Sequence, residues 1–292
     1  MSSTTSAALS HVLTRPSGPS APLVFDSPHS CIDYPGDFQP TAPPAAIRST
    51  WDAFVDELWA DVPAAGGTLL AARFPRAYID ANRAANDIDP ALLAMPWPDP
   101  IEVSEHSGRG MGLIRRYALP GVPMYDRLLS VAEVRARIET YYQPYRAALR
   151  SLIDETYARH GSVWHFNCHS MKSRGNAMNR DAGALRPDFV IGDRDGTAAA
   201  SAVTAWVAEF FVRQGYSVGI NNPYRGADIL RVHGDPPRCR HSMQIEINRA
   251  LYMDEANFTR GPRFGQVRND LGAFARAVAA YAGTTVQPGF HA

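Results

Sequence analysis

The chain lacks the features that mark disulfide-stabilised, membrane-spanning or nucleic-acid-binding proteins. Its 292 residues include only three cysteines, Cys31, Cys168 and Cys239. Their odd number and the absence of a close C-x-x-C pair argue against a disulfide framework and for a reducing compartment. No apolar run approaches the length of a membrane span. Lys+Arg and Asp+Glu number 29 each, so the net charge does not indicate nucleic acid or an anionic membrane as a partner.

Lysine is also scarce, since Lys172 is the only one and arginine supplies nearly every other positive charge. Genome composition explains such a bias in general. Because a guanidinium can hold a carboxylate through two parallel hydrogen bonds, individual arginines at specific positions remain candidates for binding an acidic ligand.

The domain organisation predicted from composition is simple. Residues 1–21 are rich in Ser, Thr, Ala and Pro, without a basic start followed by an apolar core, which predicts a disordered leader of a cytoplasmic protein. Residues 22–292 show no internal repeat and no linker, and 45% of the chain is hydrophobic. We therefore expect one α/β domain over residues 22–292.

Strand and helix patterns alternate along this domain. They predict a three-layer α/β sandwich with a central, mostly parallel mixed sheet and helices on both faces. Residues 84–125 show little periodicity and predict a long insertion over the active face. The predicted strands cover residues 23–25, 68–72, 77–79, 163–171, 188–193, 216–220 and 242–249, and the predicted helices cover 45–60, 130–159 with a kink at Pro144, 199–213 and 266–281.

Three predicted strands bring chemical groups to their ends. His29 follows the first, His169 lies at the end of the buried strand 163–171, and Glu246 lies in an apolar strand. Open α/β sheets bind ligands at such strand ends. Neutral imidazoles with a carboxylate are zinc ligands, and the helix over 45–60 would place Asp52 and Asp56 on one face.

Each of these residues also has a purely structural explanation. A histidine at a strand end is often a packing residue, and Asp52 is ordinary on a solvated helix face. His165 reads as strand and is a weak ligand candidate. Glu246, in an apolar strand, is either paired with a nearby arginine or used as a general base.

Two loops suit an acidic ligand. Asn82 and Arg83 offer an amide beside a guanidinium, and Arg225 precedes Gly226, where a ligand can approach the backbone. Alone, each is a weak signal.

Taken together and in order, several stretches are specific, and with them the chain resembles the N-formylglutamate amidohydrolase family, which is itself similar to zinc carboxypeptidases and aspartoacylase. The matching stretches are Ser27-Pro28-His29-Ser30, Trp51-Asp52, residues 55–58, residues 76–83, Cys168-His169-Ser170-Met171, residues 188–196, residues 222–226 and residues 244–255.

The resemblance implies a zinc-carboxypeptidase-like fold and an amidohydrolase that uses zinc, or another divalent transition metal, to convert N-formyl-L-glutamate into formate and L-glutamate in histidine degradation. It implies His29 and His169 as metal ligands and a carboxylate as the third. Asp52 is our choice for that ligand, with Asp56 and Asp33 as alternatives.

The resemblance also implies roles for the remaining site residues. Glu246 would be the general base, and Asn82 and Arg83 would hold a substrate carboxylate. Beyond the resemblance, the mechanism we expect has Arg225 and Ser170 in contact with the substrate, and Arg225, His233 and Ser170 as candidates for stabilising the oxyanion.

Two positions depart from the family pattern. Cys31 stands where the family usually has glycine, and Asn167 stands where an acid commonly precedes the second histidine. The first could expose a thiol to the metal, and the second removes a charge from the metal's surroundings.

Three other functions stay open on the sequence alone. A metal-dependent deacylase or carboxypeptidase-like enzyme acting on another N-acyl amino acid or peptide would use the same parts. A binding protein on the same fold would not need both histidines and Glu246. A cysteine hydrolase using Cys168 or Cys31 is weak, because adjacency to His169 gives poor geometry.

Overall fold

The computed structural model describes residues 10–285. Its centre is a seven-stranded sheet, whose strands are β1 His11–Thr14, β2 Leu23–Ser27, β3 Thr68–Ala72, β6 Val163–Met171, β7 Phe189–Gly192, β8 Val218–Ile220 and β9 Arg240–Asn248. Two short hairpins pair β4 Tyr117–Leu119 with β5 Val122–Pro123 and β10 Met253–Asp254 with β11 Thr259–Arg260. The order in the large sheet is β1-β3-β2-β6-β9-β7-β8. Strands β3, β2, β6 and β9 are parallel, while β1, β7 and β8 run the other way.

Helices cover both faces of the sheet, which confirms the predicted α/β architecture with a mostly parallel sheet. The helices are α1 Pro44–Arg48, α2 Val55–Leu58, α3 Glu105–Gly108, α4 Val131–Arg137, α5 Gln143–His160, α6 Ser201–Arg213, α7 Asp228–His233 and α8 Phe264–Thr285. One buried apolar cluster joins the sheet to α2, α6 and α8. A second joins its other face to α1, α4, α5 and α7. Among residues 10–285, no helix combines the length and apolar character needed to cross a membrane.

The two faces of the central strands differ in chemistry because side chains alternate along a strand. On β6, Phe166 and Cys168 point into the first cluster, and β9 places Met243 and Ile245 beside them. The opposite face of the same pair of strands is a buried polar row. It consists of His165 beside Ser242, Asn167 beside Gln244, and His169 beside Glu246.

The predicted helix over 130–159 is present but is not uniform. Ser130 and Glu133 form a capping box at its start, and Gly161, with a positive φ of 72°, ends it. Between α4 and α5, residues Ile138–Tyr142 form a wider π-helical turn. This turn directly precedes Pro144, which has no N–H to donate, so the predicted irregularity lies where expected.

Three sequence-based expectations differ from the structure. The helix expected over 45–60 is interrupted between α1 and α2, where Phe54 adopts a left-handed φ of 60°. Residues 77–79 form a buried turn closed by a hydrogen bond from Tyr78 N to Pro75 O rather than a strand. Of the expected leader, residues 1–9 lie outside the described part, but His11–Thr14 pair antiparallel with β3. The leader prediction is wrong there because backbone pairing, not apolar side chains, forms this edge strand.

Candidate active site

The predicted catalytic residues meet at the carboxyl ends of three adjacent parallel strands. His29 lies two residues beyond β2, His169 lies near the end of β6, and Glu246 lies in β9. The strand order β2-β6-β9 makes these strands neighbours, and the register sets His169 directly beside Glu246. Parallel strands deliver their ends to one edge, which is why three distant segments can build one site.

His29, Asp52 and His169 form a compact group of potential metal ligands. The two Nδ1 atoms are 3.1 Å apart. Asp52 Oδ2 lies 3.0 Å from His169 Nδ1 and 3.4 Å from His29 Nδ1. All three residues are buried. Ligands of a tetrahedral zinc ion lie about 3.3 Å apart, given bonds of about 2.0 Å, so this spacing fits such an ion.

The outer nitrogens of both histidines are held by acceptors, and this sets the orientation of the rings. His29 Nε2 lies 2.7 Å from Asp80 Oδ1, and His169 Nε2 lies 2.6 Å from Asn167 Oδ1. In the neutral rings the hydrogens therefore sit on Nε2, and the lone pairs of both Nδ1 atoms face each other and the Asp52 carboxylate. A donor set of this kind fits a cation, with Asp80 and Asn167 orienting the ligands.

Asp52 reaches the histidines because the chain between α1 and α2 is tied to the loop that carries His29. Asp52 N donates to His29 O at 3.1 Å, and Trp51 Nε1 donates to Ser30 O at 2.5 Å. These bonds replace the helical ones expected here, so the premise that placed Asp52 and Asp56 on one helix face was wrong. Asp33 is exposed, and within residues 10–285 neither Asp33 nor Asp56 belongs to the ligand group.

The Asp52 carboxylate is held in its ionised form. Burial acts to raise its pKa, but its contacts with His169 and His29 and the charge of Arg76 outweigh burial and keep it well below its usual range. Arg249 Nη2 donates to Asp52 Oδ1 at 2.9 Å. The arginines thus occupy one carboxylate oxygen and leave the other facing the histidines.

Glu246 is buried beside this group, and burial raises the pKa of its carboxyl group. Its Oε1 accepts a hydrogen bond of 2.8 Å from Gln244 Nε2. Throughout residues 10–285, no side chain forms an ion pair with it, so the alternative of a buried ion pair with an arginine is not found. A carboxylate that is desolvated and unpaired is suited to accept a proton.

The Asp80–Arg83 turn supports the histidines more than it opens toward a ligand. Asn82 Nδ2 donates to Asn167 Oδ1 at 2.9 Å, and Asn82 Oδ1 accepts from Ile229 N at 3.1 Å. Arg83 is buried and donates to the carbonyls of Met111 and Asn82, both at 3.0 Å. Asn82 therefore acts within the protein, while the Arg83 guanidinium has no carboxylate partner among the described residues.

The structure does not bring Arg225 to this site. Its side chain is 60% exposed and pairs with Asp195 at 3.2 Å, because the backbone of its loop is held by a hydrogen bond from Arg194 N to the Arg225 carbonyl. Ser170 is buried near the site, but its Oγ accepts from Arg249 Nε at 3.0 Å. The structure gives Arg225 no contact with the ligand group, so its assignments to substrate binding and to the oxyanion stay predictions, whereas Ser170 positions an arginine.

His165 and His233 belong to a polar network behind the site. His165 contacts Asp26 Oδ1 at 2.9 Å and Ser242 Oγ at 2.7 Å. His233 packs edge-on against the His165 ring at 6.1 Å, and burial lowers its pKa to about 3. His165 is thus a satisfied core histidine, and His233 contacts that histidine rather than the ligand group.

The cysteines do not form a nucleophile or a ligand. Cys31 Sγ accepts from Asp33 N at 3.3 Å, and burial raises the pKa of its thiol to about 11. Cys168 points into the apolar cluster on the other face of β6, where burial holds its pKa well above the usual value. A thiolate at either position is disfavoured, which argues against the cysteine hydrolase.

Sequence reasoning missed four charged residues around the site. Asp80 and Arg76 lie in the matching stretch 76–83, but the sequence gives neither a role, and Arg249 follows β9 directly. Arg115 had no sequence signal, since it lies in the unpatterned segment 84–125. This segment contacts the Asp80–Arg83 turn, because Asp80 N donates to Leu113 O at 2.8 Å.

A model of the N-formylglutamate amidohydrolase family matches residues 21–253. The chain is similar to an N-formylglutamate deformylase of Pseudomonas aeruginosa, with 27% identity over 244 residues that cover 80% of this chain and 83% of the relative. It is also similar to an N-formylglutamate deformylase of Pseudomonas putida, with 29% identity over 196 residues that cover 65% of this chain and 66% of the relative.

A solved structure extends the match to nearly the whole chain. The crystal structure of N-formylglutamate amidohydrolase from Ralstonia eutropha JMP134 superposes with a TM-score of 0.91 and 43% identity, covering 95% of this chain and 100% of that one. A protein of Agrobacterium tumefaciens shares the fold with a TM-score of 0.62 and 20% identity, covering 96% of each chain.

Proposed function

The chain belongs to the N-formylglutamate amidohydrolase family and is a hydrolase that acts on an amide, and on this premise we propose that it converts N-formyl-L-glutamate and water into formate and L-glutamate at the site of His29, Asp52, His169 and Glu246. One observation carries the assignment of the site. Two inward-facing imidazoles and an ionised carboxylate converge beside an unpaired, buried glutamate.

The metal ion of the proposal is zinc, or another divalent transition metal, held by His29 Nδ1, His169 Nδ1 and Asp52. The spacing of these atoms and the acceptors behind both rings support it. When bound, such an ion lowers the pKa of a water molecule and polarises a carbonyl group. Asp80 and Asn167 keep both rings in the tautomer that can bind a cation.

Glu246 is the proton carrier of the reaction. Its carboxylate accepts a proton from the water that attacks the formyl carbon, and it then donates this proton to the leaving amide nitrogen as the C–N bond breaks. Burial raises its pKa, which brings the carboxyl group closer to the value at which both transfers are efficient. Gln244 fixes one oxygen of Glu246 by a hydrogen bond and leaves the other oxygen free for proton transfer.

The substrate is held through its charge. Arg83 is the residue we assign to a substrate carboxylate, because its guanidinium is buried and uses only backbone carbonyls as partners. Asn82 holds Asn167, the acceptor behind His169, instead of the substrate, and Ser170 fixes Arg249, which in turn holds Asp52.

The proposal includes a zinc-carboxypeptidase-like fold and a cytoplasmic location. Two histidines and a late glutamate on neighbouring strands, with a carboxylate from the segment between α1 and α2, support the first. Three free cysteines at Cys31, Cys168 and Cys239 support the second.

A comparison of acyl groups tests the function. The purified protein, loaded with zinc, is assayed on N-formyl-L-glutamate, N-acetyl-L-glutamate and a glutamate-terminated dipeptide. We expect kcat/KM to be highest for the formyl compound. A preference for the acetyl compound or the dipeptide would replace the proposed reaction with that of a deacylase or carboxypeptidase-like enzyme. No turnover of any of them, with zinc bound, would overturn the enzymatic proposal.

A further inference from the structure

The arginines around the ligand group fall into two classes. Most have a carboxylate partner: Arg76 pairs with Asp80 at 2.8 Å, Arg249 with Asp52 at 2.9 Å, and Arg186 with Asp181 at 2.7 Å. Of the arginines around the ligand group, Arg83 and Arg115 are buried and have no carboxylate partner within residues 10–285. A buried cation without a counter-ion is costly, so each is a place where an anion from outside would be favoured.

Arg115 is the stronger candidate for binding an anion, because its guanidinium has fewer hydrogen-bond partners than that of Arg83. Its side chain is 8% exposed, and its Nε is buried without a hydrogen-bond partner. In the part of the chain that the structure describes, Arg115 forms no ion pair, and its guanidinium donates no hydrogen bond. Burial lowers its pKa to about 9, with the charge of Arg76 acting in the same direction and that of Asp80 against it.

Arg137 shows what a structural arginine looks like in this protein. It is also buried without a carboxylate, yet its Nη1 donates to Tyr78 O at 3.0 Å and to Tyr125 Oη at 2.8 Å. Its guanidinium lies 4.2 Å from the centre of the Tyr78 ring. The Nε and Nη2 of Arg137 are also buried without a hydrogen-bond partner, but its guanidinium has two acceptors and an aromatic ring. Among the described residues, the Arg115 guanidinium has neither an acceptor nor a ring against it.

The surroundings of Arg115 place it at the active site. The charges that act on it most strongly belong to Arg76, Asp80, Arg83 and Asp52. Its backbone pairs with Met111, whose carbonyl accepts from Arg83 Nε. The insertion thus joins the backbone of Arg115 to Met111, the residue whose carbonyl holds Arg83, and brings Arg115 within electrostatic range of Asp80 and Asp52.

We propose that Arg115 binds one carboxylate of the substrate and, with Arg83, selects for substrates that carry two. This deepens the proposed function and rests on it, since N-formyl-L-glutamate has two carboxylates and the site has two guanidiniums without one. Binding would supply the missing counter-ion through charge-assisted, bidentate hydrogen bonds.

Substrates that lack one carboxylate test this role. Arg115→Gln is compared with wild type on N-formyl-L-glutamate, N-formyl-L-glutamine, which lacks the side-chain carboxylate, and N-formyl-L-isoglutamine, which lacks the other. We expect kcat/KM for N-formyl-L-glutamate to fall about 10- to 100-fold. For the one analogue that lacks the carboxylate bound by Arg115, the variant and wild type should be nearly equal. Equal losses on all three, or no loss on any, would overturn the proposal.

Arg109→Gln is the matched control. Arg109 lies in the same insertion, but its side chain is 41% exposed and pairs with Glu105 at 2.7 Å. The kcat/KM of the Arg109→Gln variant for N-formyl-L-glutamate should stay within about twofold of wild type. Arg115→Lys provides a second variant with the charge retained, and its loss should be smaller than that of Arg115→Gln because only the bidentate geometry is removed.

A binding measurement separates failure of this inference from failure of the proposed reaction. Glutarate, a dicarboxylate that cannot be hydrolysed, is titrated calorimetrically into zinc-loaded wild type and Arg115→Gln. We expect its Kd to rise about 10- to 100-fold in the variant. If wild type releases no formate, this comparison still decides the role of Arg115, and an unchanged Kd would refute it.

Discussion

Replacing Asp80 by asparagine tests whether the site is built to hold a metal. Asp80 is fully buried and accepts three hydrogen bonds, from His29 Nε2 at 2.7 Å, from Arg76 Nη2 at 2.8 Å and from Asn82 N at 2.9 Å. Burial acts to raise its pKa, but the charges of Arg76 and His29 hold it well below the usual range, so it is ionised. Asparagine keeps the shape and removes the charge.

Two separate losses should follow from Asp80→Asn. His29 loses the charged acceptor that raises its basicity, so affinity for zinc should fall about 10- to 100-fold. Arg76 keeps only Asp52, at 3.7 Å, so the metal-free protein should lose about 3 to 5 kcal/mol of stability. Zinc affinity is measured by competition with a chromogenic chelator, and stability by urea unfolding of the metal-free protein.

Asp228→Asn is the control for this experiment. Asp228 has a side chain that is 9% exposed, pairs with Arg146 at 2.8 Å and Arg231 at 2.6 Å, and contacts neither histidine of the ligand group. The Asp228→Asn protein should lose stability, while its zinc affinity stays within about twofold of wild type. If Asp80→Asn behaves in the same way, losing stability and keeping its zinc affinity, then Asp80 supports the fold and the argument about ligand orientation is refuted.

Four further predictions concern the base, the helices and the core. Glu246→Gln should lower kcat by about 10² to 10⁴-fold with unchanged zinc content, and retained turnover would remove Glu246 from the reaction. Because Glu246 must be ionised to accept a proton and burial raises its pKa, kcat/KM should fall with decreasing pH at a midpoint above its ordinary 4.5; a midpoint at or below that value would contradict the burial argument. The hydrogen bond from Arg127 lowers the pKa of Glu133 to about 2, so its contribution is complete above pH 4.5 and is lost toward pH 2. Since this carboxylate is partly exposed, Glu133→Gln should cost only about 1 kcal/mol at pH 7 and less at pH 3, as measured by urea unfolding, and an equal cost at both pH values would oppose this. Leu149→Ala removes a fully buried side chain from the second cluster and should cost about 2 to 5 kcal/mol in the same assay, whereas a loss below about 1 kcal/mol would contradict its place in the core.

The strands that carry the site could be read from the sequence because their signal is local. Residues 163–171 combine aromatic and β-branched residues with a histidine at the end, and that pattern needs only a few neighbouring residues. The structure places this strand between the two others that were expected to carry His29 and Glu246. Their grouping followed from the rule for parallel strand ends.

The parts that could not be predicted depend on contacts between distant segments. The apolar spacing of residues 45–60 suits a helix, but bonds from Asp52 and Trp51 to the His29 loop break it. The role of Arg115 depends on how an unpatterned insertion packs against residues 76–83. Strand β1 is short and largely exposed, so it carries no alternation of apolar side chains that could reveal it.

Zinc content and turnover, measured on the same preparation, test whether the site holds a catalytic metal. Zinc bound to the purified protein is measured by mass spectrometry, and formate release from N-formyl-L-glutamate is followed before chelation, after chelation and after zinc is returned. We predict one zinc per chain, formate release that disappears on chelation, and recovery on zinc addition in wild type but not in His169→Ala. Undiminished formate release from metal-free protein, or full zinc content in His169→Ala, would show that His29, Asp52 and His169 do not hold a catalytic metal.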